Sequence, residues 1–364
     1  MNSSPFKVYG YRWVVLVGFM LAVMFNQLLW ITFAPITGPA AAYYGVSDLS
    51  IGLLSMSFMI AYLFVALPAS WVIDTFGFRS AVSIGAALTG IFGLMRGLVA
   101  DNYTLVLIAQ IGIALGQPFI LNAVTKVAAR WFPLSERATA SGLGTLAIYV
   151  GILVSLVLTP LLTLQLGLPG MLRWSGAGAL IAALAFIAVA RERPATPSGP
   201  PEQEERALML DGLRQILRKR EFQLLLLIFF VGLGVFNSVT TWIEDILRPR
   251  GFSITEAGLA GVTFASTLAL LYLAAFVFGF FLLSSGPIGF QYGVEIGRPT
   301  PEGTSNGLLL LMGQISGIAF IIGMDSFKLP ATGSMTPSLV ALLVLMGLAL
   351  LAATRLRESP LLSQ

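Results

Sequence analysis

Gly116 to Gly142 reads GQPFILNAVTKVAARWFPLSERATASG, and the architecture follows from this stretch. It starts inside an apolar run, passes Lys126 and Arg130, turns at Pro133, carries Glu136 and Arg137, and enters a second apolar run at Ala138. A helix leaving a bilayer, a short basic loop and a helix re-entering it are written this way, because Lys and Arg gather on one side of a membrane. A blurred copy, GPIGFQYGVEIGRPTPEGTSNG, runs from Gly286 to Gly307. Both copies place a proline in the incoming helix (Pro118, Pro287). Both also set a threonine three residues before a glycine in the outgoing one (Thr139 and Gly142, Thr304 and Gly307). The spacing predicts a duplicated bundle of membrane helices.

Composition agrees with lipid as the solvent. The chain is 57% hydrophobic and 10% charged with a mean hydropathy of +0.87, whereas a soluble domain carries about 25% charged residues. Apolar runs of about 20 residues recur along it, the length that a hydrocarbon core about 30 Å thick requires. Cysteine and histidine are both absent, which excludes disulfides, thiolate or imidazole metal sites, cysteine nucleophiles and Ser–His relays. The reading is therefore not an enzyme, with no cofactor and no metal. The net charge of +4 reflects loop bias and not a nucleic-acid surface, and the first apolar run is too long for a cleavable signal peptide.

In chain order, six spans are expected in the first half, at residues 12–34, 50–73, 80–99, 103–128, 138–163 and 172–190. On the third, Ala81, Gly85, Thr89, Gly93 and Gly97 recur every fourth position and predict a face for close helix packing; Gly112 and Gly116 read the same way. Arg191 opens RERPATPSGPPEQEE, read as an exposed linker. The following RALMLDGLRQILRKR puts Met209, Leu213 and Ile216 on one face of an amphipathic helix expected on the membrane surface. Later spans are expected at 222–246, 254–288, 304–323 and 337–353. The organisation is a six-helix bundle (1–190), a cytoplasmic linker (191–221) and a shortened four-helix bundle (222–364). Basic residues concentrate on one side, which predicts both termini in the cytoplasm and a plasma or inner membrane location.

The halves do not have equal length. YGVSDLSIGLL from Tyr44 matches RGFSITEAGLA from Arg250 at an offset of 206 (45 to 251), but the later landmarks match at 165 (142 to 307). The difference of about 41 residues equals two membrane crossings with a short loop. Ten spans, six plus four, are predicted in place of twelve, with partners of the second and third missing from the second half.

Ser70 to Arg79, SWVIDTFGFR, resembles the loop signature of the major facilitator superfamily, with Asp74, Gly77 and Arg79 in place and no basic residue after the aspartate. LSMSFMIAYLFVALPASWVIDTFGFR, GQPFILNAVTKVAARWF and YGVEIGRPTPEGTSNGLL resemble, more narrowly, the feline leukaemia virus subgroup C receptor related transporters. That resemblance implies a two-bundle all-α membrane fold, a latch at Asp74 and Arg79, and a small-molecule cargo. Choline and ethanolamine are moved by known members, and haem has been proposed. It also implies that Trp30, Gln117 and Gln314 line the cavity, where a tryptophan face holds a quaternary ammonium. Those relatives carry a tyrosine on the seventh span where this chain has Asn237, which thins the aromatic cage.

Polar groups inside spans either line a path or bond across helices. Asn26, Gln27, Gln110, Gln117, Asn122, Tyr149, Asn237, Thr240, Trp242, Gln291 and Gln314 are the candidates, with Asp74, Gly77, Arg79 and Arg137 as gating positions. Glu244 and Asp245 are read as a solvated helix end. The functional reading is alternating-access transport of a small organic solute, choline-like in its amine. The alternative is a non-transporting remnant or membrane binding protein lacking two helices. The lipid bilayer is the other partner, nucleic acid is not one, and oligomeric state stays open. With no clear buried carboxylate, facilitated movement is favoured over proton-driven pumping.

Overall fold

Pro35 cannot donate the backbone bond that would carry a helix on from Ile31, so the first helix, α1, runs Tyr11–Ile31 and gives way to a 3-10 turn at Ala34–Ile36 and to α2 (Thr37–Tyr44). The computed structural model in which this is seen describes residues 7–198, 214–250, 288–290, 292–293, 295–297 and 302–357. Among these residues every regular element is a helix. Ser47 caps α3 (Asp48–Leu98) by accepting the Ser50 N–H. Then follow α4 (Tyr103–Leu121), α5 (Val124–Trp131) and α6 (Leu134–Val189).

Two of these helices are too long to cross once. At 51 and 56 residues they would each extend about 75–85 Å as straight rods, against a core of about 30 Å. Each is broken by a glycine that turns the chain back: Gly77 at φ 85, ψ 166 and Gly167 at φ 70, ψ 170. The reversals show in their contacts. Ser55, early in α3, and Arg96, late in it, both meet the end of α1 through Trp30 and Leu29. Glu136, early in α6, pairs with Arg12, while Val189, at its end, accepts the Tyr11 hydroxyl. The first half thus makes six crossings, four of them folded out of α3 and α6.

The glycine face of the third span does what its spacing implies. A Cβ on Gly85 would lie 2.6 Å from the Gly116 carbonyl oxygen of α4, and one on Gly176 would lie 2.2 Å from that of Gly93. Backbones touch at both places, so α4 and the last part of α6 close on opposite sides of the same strip. Near the end where α1 begins, here called the basic end, Phe19, Phe78, Phe132 and Phe186 are fully buried together in one apolar core.

Chain contacts divide the molecule into two compact units, Met1–Gln203 and Glu204–Gln364. The second contains α7 (Arg220–Thr241), α8 (Ile243–Leu247), α9 (Glu302–Ser326) and α10 (Thr336–Ala353). Asn237 and Trp242 of the α7 end donate to the Gly313 and Ile321 carbonyls of α9, and Ser338 of α10 donates to Met324. Ile216 is buried against Phe222, Leu225 and Ile296, so it faces the protein core of this unit and not the membrane surface; Met209 and Leu213 lie outside the described residues. Seven helices of the two units are long and apolar enough to cross a membrane. Counting α3 and α6 twice, they give nine crossings among the described residues. The predicted tenth, 254–288, lies outside them apart from Ile288, as does Gln291.

The start of the linker alternates exposed residues (Arg191, Arg193, Ala195, Pro197) with buried or partly buried ones. Trp131 donates to the Arg191 carbonyl at 3.0 Å, the Lys7 N–H to that of Pro197 at 3.0 Å, and the Tyr9 hydroxyl to Thr196 at 3.3 Å. Pro194 and Ser198 are buried. Residues 191–198 therefore lie along the basic end of the first unit beside the N-terminal segment.

Candidate functional site

The candidate polar residues separate into those spent on packing and those with unspent groups. On α1, Asn26 donates to Thr89 of α3 at 2.9 Å, and Gln27 donates to Asn26 at 3.3 Å. Asn122, just past α4, accepts the Tyr62 hydroxyl at 2.7 Å and donates to Ser70 at 3.2 Å. Gln110 is wholly buried and bonded to Arg96 and to the Leu29 carbonyl. Those side chains bond helices of the first unit to one another, and a buried polar group without such a bond would be costly in lipid.

Gln117 differs. It is 5% exposed, and its amide makes no hydrogen bond to another described residue. Gln314 on α9 is half-buried and likewise unbonded. Asn237 lies beside it, since its amide nitrogen reaches the carbonyl of Gly313, the preceding residue, at 3.1 Å. Trp30 is buried, with its indole N–H donated to the Ser55 carbonyl at 3.2 Å. That bond ties the ring to α3. Tyr149 is half-buried on α6; Thr240 is buried at the end of α7, and Trp242 just beyond it.

At the basic end, the residues expected to gate form a second constellation. Asp74 is paired with Lys126 of α5 at 3.1 Å. The cation missing after the aspartate in the chain is thus supplied in space by another helix. Gly77 supplies the reversal, and the backbone N–H of Arg79 is capped by the Glu192 carboxylate at 2.8 Å. Arg137 donates to the Phe132 carbonyl, and the neighbouring Glu136 pairs with Arg12 at 3.1 Å. Because the Asp74 side chain is 72% exposed, its ion pair contributes about 0–1 kcal/mol. Lys126→Met is therefore expected to leave the thermal midpoint within about 2–4 °C of the parent. A larger fall in a detergent melting curve would show that the pair holds more than a loop.

Two residues of these networks are not singled out by sequence reasoning, and two others are misread. Glu192 reaches a backbone N–H more than a hundred positions away, which leaves no local signal. Arg96 is fully buried and is a charge within an apolar run, the one signal that would have found it. Glu244 and Asp245 are not a solvated helix end: they are 3% and 1% exposed and are paired with Arg248 and Lys328.

Comparison with known proteins gives this arrangement a context. A profile described as Major Facilitator Superfamily matches residues 15–353. Solute carrier family 49 member A3 of Danio rerio is 30% identical over 383 residues, covering 90% of this chain and 81% of that protein. The choline/ethanolamine transporter FLVCR2 of Homo sapiens is 26% identical over 382 residues, covering 88% and 73%. Among solved structures, a bacterial homologue of the human lysosomal transporter Spinster, in an inward-facing and unoccupied conformation, superimposes with a TM-score of 0.61 at 19% identity over 94% of this chain and 81% of that one. The POT family transporter PepTSo gives 0.68 at 14% identity over 93% and 96%. The first alignment is longer than the chain itself. Since 90% of 364 residues is about 328, about 55 of its 383 positions face no residue here. The relative therefore carries internal sequence that this chain lacks, the sense in which the two halves differ in length.

Proposed function

Because the chain belongs to the major facilitator superfamily, within it to the group that includes the FLVCR-type choline/ethanolamine transporters, and is a multi-pass membrane transporter of a small solute, we propose that its cargo is a small amine, choline-like or ethanolamine-like. The observation that carries this reading is Gln117 of the first unit. Where the buried amides Asn26 and Gln110 of that unit are bonded to neighbouring helices, Gln117 bonds to no other described residue. An amine alcohol offers a hydroxyl for such an amide and a cation for the face of Trp30, held by its bond to Ser55. In the second unit, considered by itself, Asn237 stands where the related transporters carry an aromatic ring, and its carbonyl oxygen can accept from N–H donors, which favours a primary ammonium over a quaternary one as cargo. The chain is placed in a plasma or inner membrane with its basic end in the cytoplasm, and Asp74, Lys126, Arg79 and Glu192 form the cytoplasmic latch of the first unit. The match runs from residue 15 to 353, through both halves, which favours transport over a remnant binding protein.

Uptake of radiolabelled choline and ethanolamine by the purified protein in liposomes tests the proposal. The expected result is saturable uptake of both, ethanolamine preferred, with Trp30→Ala lowering kcat/KM about tenfold, in line with one cation–π contact of 1–2 kcal/mol. Dissipating a proton gradient should leave the rate unchanged, because the described buried carboxylates, Glu244 and Asp245, are already held by cations. No uptake of either amine, or uptake indifferent to Trp30, would refute the assignment of the cargo.

A further inference from the structure

We infer that Arg96 and Gln110 form a clamp on the end of α1 that positions Trp30. Arg96 is 0% exposed, in the last turn of α3. Its guanidinium donates from Nη1 to the Leu29 carbonyl at 3.1 Å and to Gln110 Oε1 at 2.6 Å, and from Nη2 to Thr32 Oγ1 at 3.3 Å. Gln110 of α4 returns a second donor to the same Leu29 carbonyl at 3.2 Å. The Phe33 ring lies 5.5 Å from the guanidinium carbon. Among the described residues no carboxylate pairs with Arg96, and its Nε is buried without an acceptor.

A guanidinium buried without an anion is unfavourable unless oriented dipoles replace the missing charge. Here the dipoles are those of α1's C-terminal end, where backbone carbonyls carry partial negative charge. All of them flank one residue: Leu29 precedes Trp30, and Thr32 and Phe33 follow it. The preceding carbonyl, Leu28, is held in the same way by Ser155 of α6 at 2.9 Å and by Thr32 at 2.8 Å. The indole itself is tied to Ser55 of α3. Side chains from three other helices thus hold the two backbone carbonyls that precede a single tryptophan, and Arg96 also reaches the Thr32 hydroxyl beyond it. Arg96 and Gln110 are positioning residues, since neither is the group that meets the cargo. Their effect on affinity rests on the reading of Trp30 given above, but their effect on Trp30 itself does not.

The fork geometry makes the clamp testable by small changes. Arg96→Lys keeps the charge but not the parallel donors. Gln110→Glu gives Arg96 a carboxylate partner while removing the second donor to Leu29. Trp30 emission is isolated as the difference between each protein and its Trp30→Phe counterpart, alongside a detergent melting curve and amine uptake. The expected result is that Gln110→Glu melts like the parent, that the Trp30 emission of both variants shifts to the red, and that KM rises about tenfold with kcat held. Where Arg96→Lys fails to fold, Gln110→Glu alone decides. Folded variants with unmoved Trp30 emission overturn the clamp, because a bond needed only for stability would not place the ring. A red shift with unchanged KM supports the clamp and removes Trp30 from the cargo site. If no amine is carried, the emission still decides.

Discussion

Gly77→Ala is expected to be among the most damaging single-methyl changes in the chain, and to exceed Gly167→Ala by a margin that can be attributed. Both glycines sit in nearly the same conformation, φ 85, ψ 166 and φ 70, ψ 170, a region in which a side chain costs about 1–3 kcal/mol of backbone strain. Their surroundings differ. At Gly167 a new Cβ has Pro169 Cδ as its nearest neighbour at 3.9 Å, whereas at Gly77 it would meet the Glu192 carboxylate carbon at 2.3 Å. Glu192 is flexible at its tip and would swing away, which gives up its bond to the Arg79 N–H and costs about 1 kcal/mol more, as losing a helix cap does. Gly77→Ala should therefore lower unfolding free energy by roughly 2–4 kcal/mol and Gly167→Ala by roughly 1–3. In the background of Glu192→Ala, the two glycine changes should become equal. Melting curves of the five proteins decide; a Gly77→Ala protein no less stable than Gly167→Ala would remove Glu192 from the cap.

The two reversals also show how far the sequence could be read. Periodicity and length locate six apolar spans in residues 12–190, and the helices and the reversals at Gly77 and Gly167 fall in keeping with them, because in lipid a backbone must satisfy its own amides and little besides a helix is available. The glycines of the third span were legible for a related reason: a row of hydrogens in place of side chains means that another backbone lies there. Side-chain commitments were not legible in the same way. Nothing in the text separates Asn26, bonded to Thr89, from Gln117, whose amide is unbonded, since both are single amides in apolar helices and only the partner, 63 positions away for Asn26, distinguishes them. Arg96 lies inside the expected third span near its end, and its burial comes from the α1 end and Gln110 packed around it, partners that its own neighbours in the chain do not announce. The start of the linker keeps exposed residues, as Pro-rich charged text implies, but the backbone carbonyls that Arg191 and Pro197 offer to Trp131 and to the N-terminal segment depend on distant partners and were not legible.

Asp245→Asn is expected to destabilise the second unit by about 2–4 kcal/mol, because it removes the buried acid that Arg248 and Lys328 share and leaves them, among the described residues, only Glu244. The Asp245 side chain is 0% exposed and accepts from Arg248 and Lys328 at 3.0 Å each. Glu244, 4% exposed at its side chain, is paired with Arg248. Among the described residues this pairs two acids with two cations, and the acids are the buried members: Arg248 is 40% and Lys328 19% exposed at their side chains. This asymmetry sets the ranking. Lys328→Met removes a cation that already borders solvent and leaves Arg248 on Asp245, so it should cost only about 1 kcal/mol. Since Lys328 belongs to the turn that follows α9, and Asp245 to α8 at the end of α7, the pair also joins two elements that are otherwise linked there by the Trp242 bond to Ile321. The double variant, Asp245→Asn with Lys328→Met, should then lose less than the sum of the single losses by about 1 kcal/mol or more, as contacting residues do. Detergent unfolding of the three variants gives the coupling directly. A strictly additive pair, or an Asp245→Asn protein as stable as the parent, would mean that the carboxylate is solvated and that the cluster does not hold α8 to the turn.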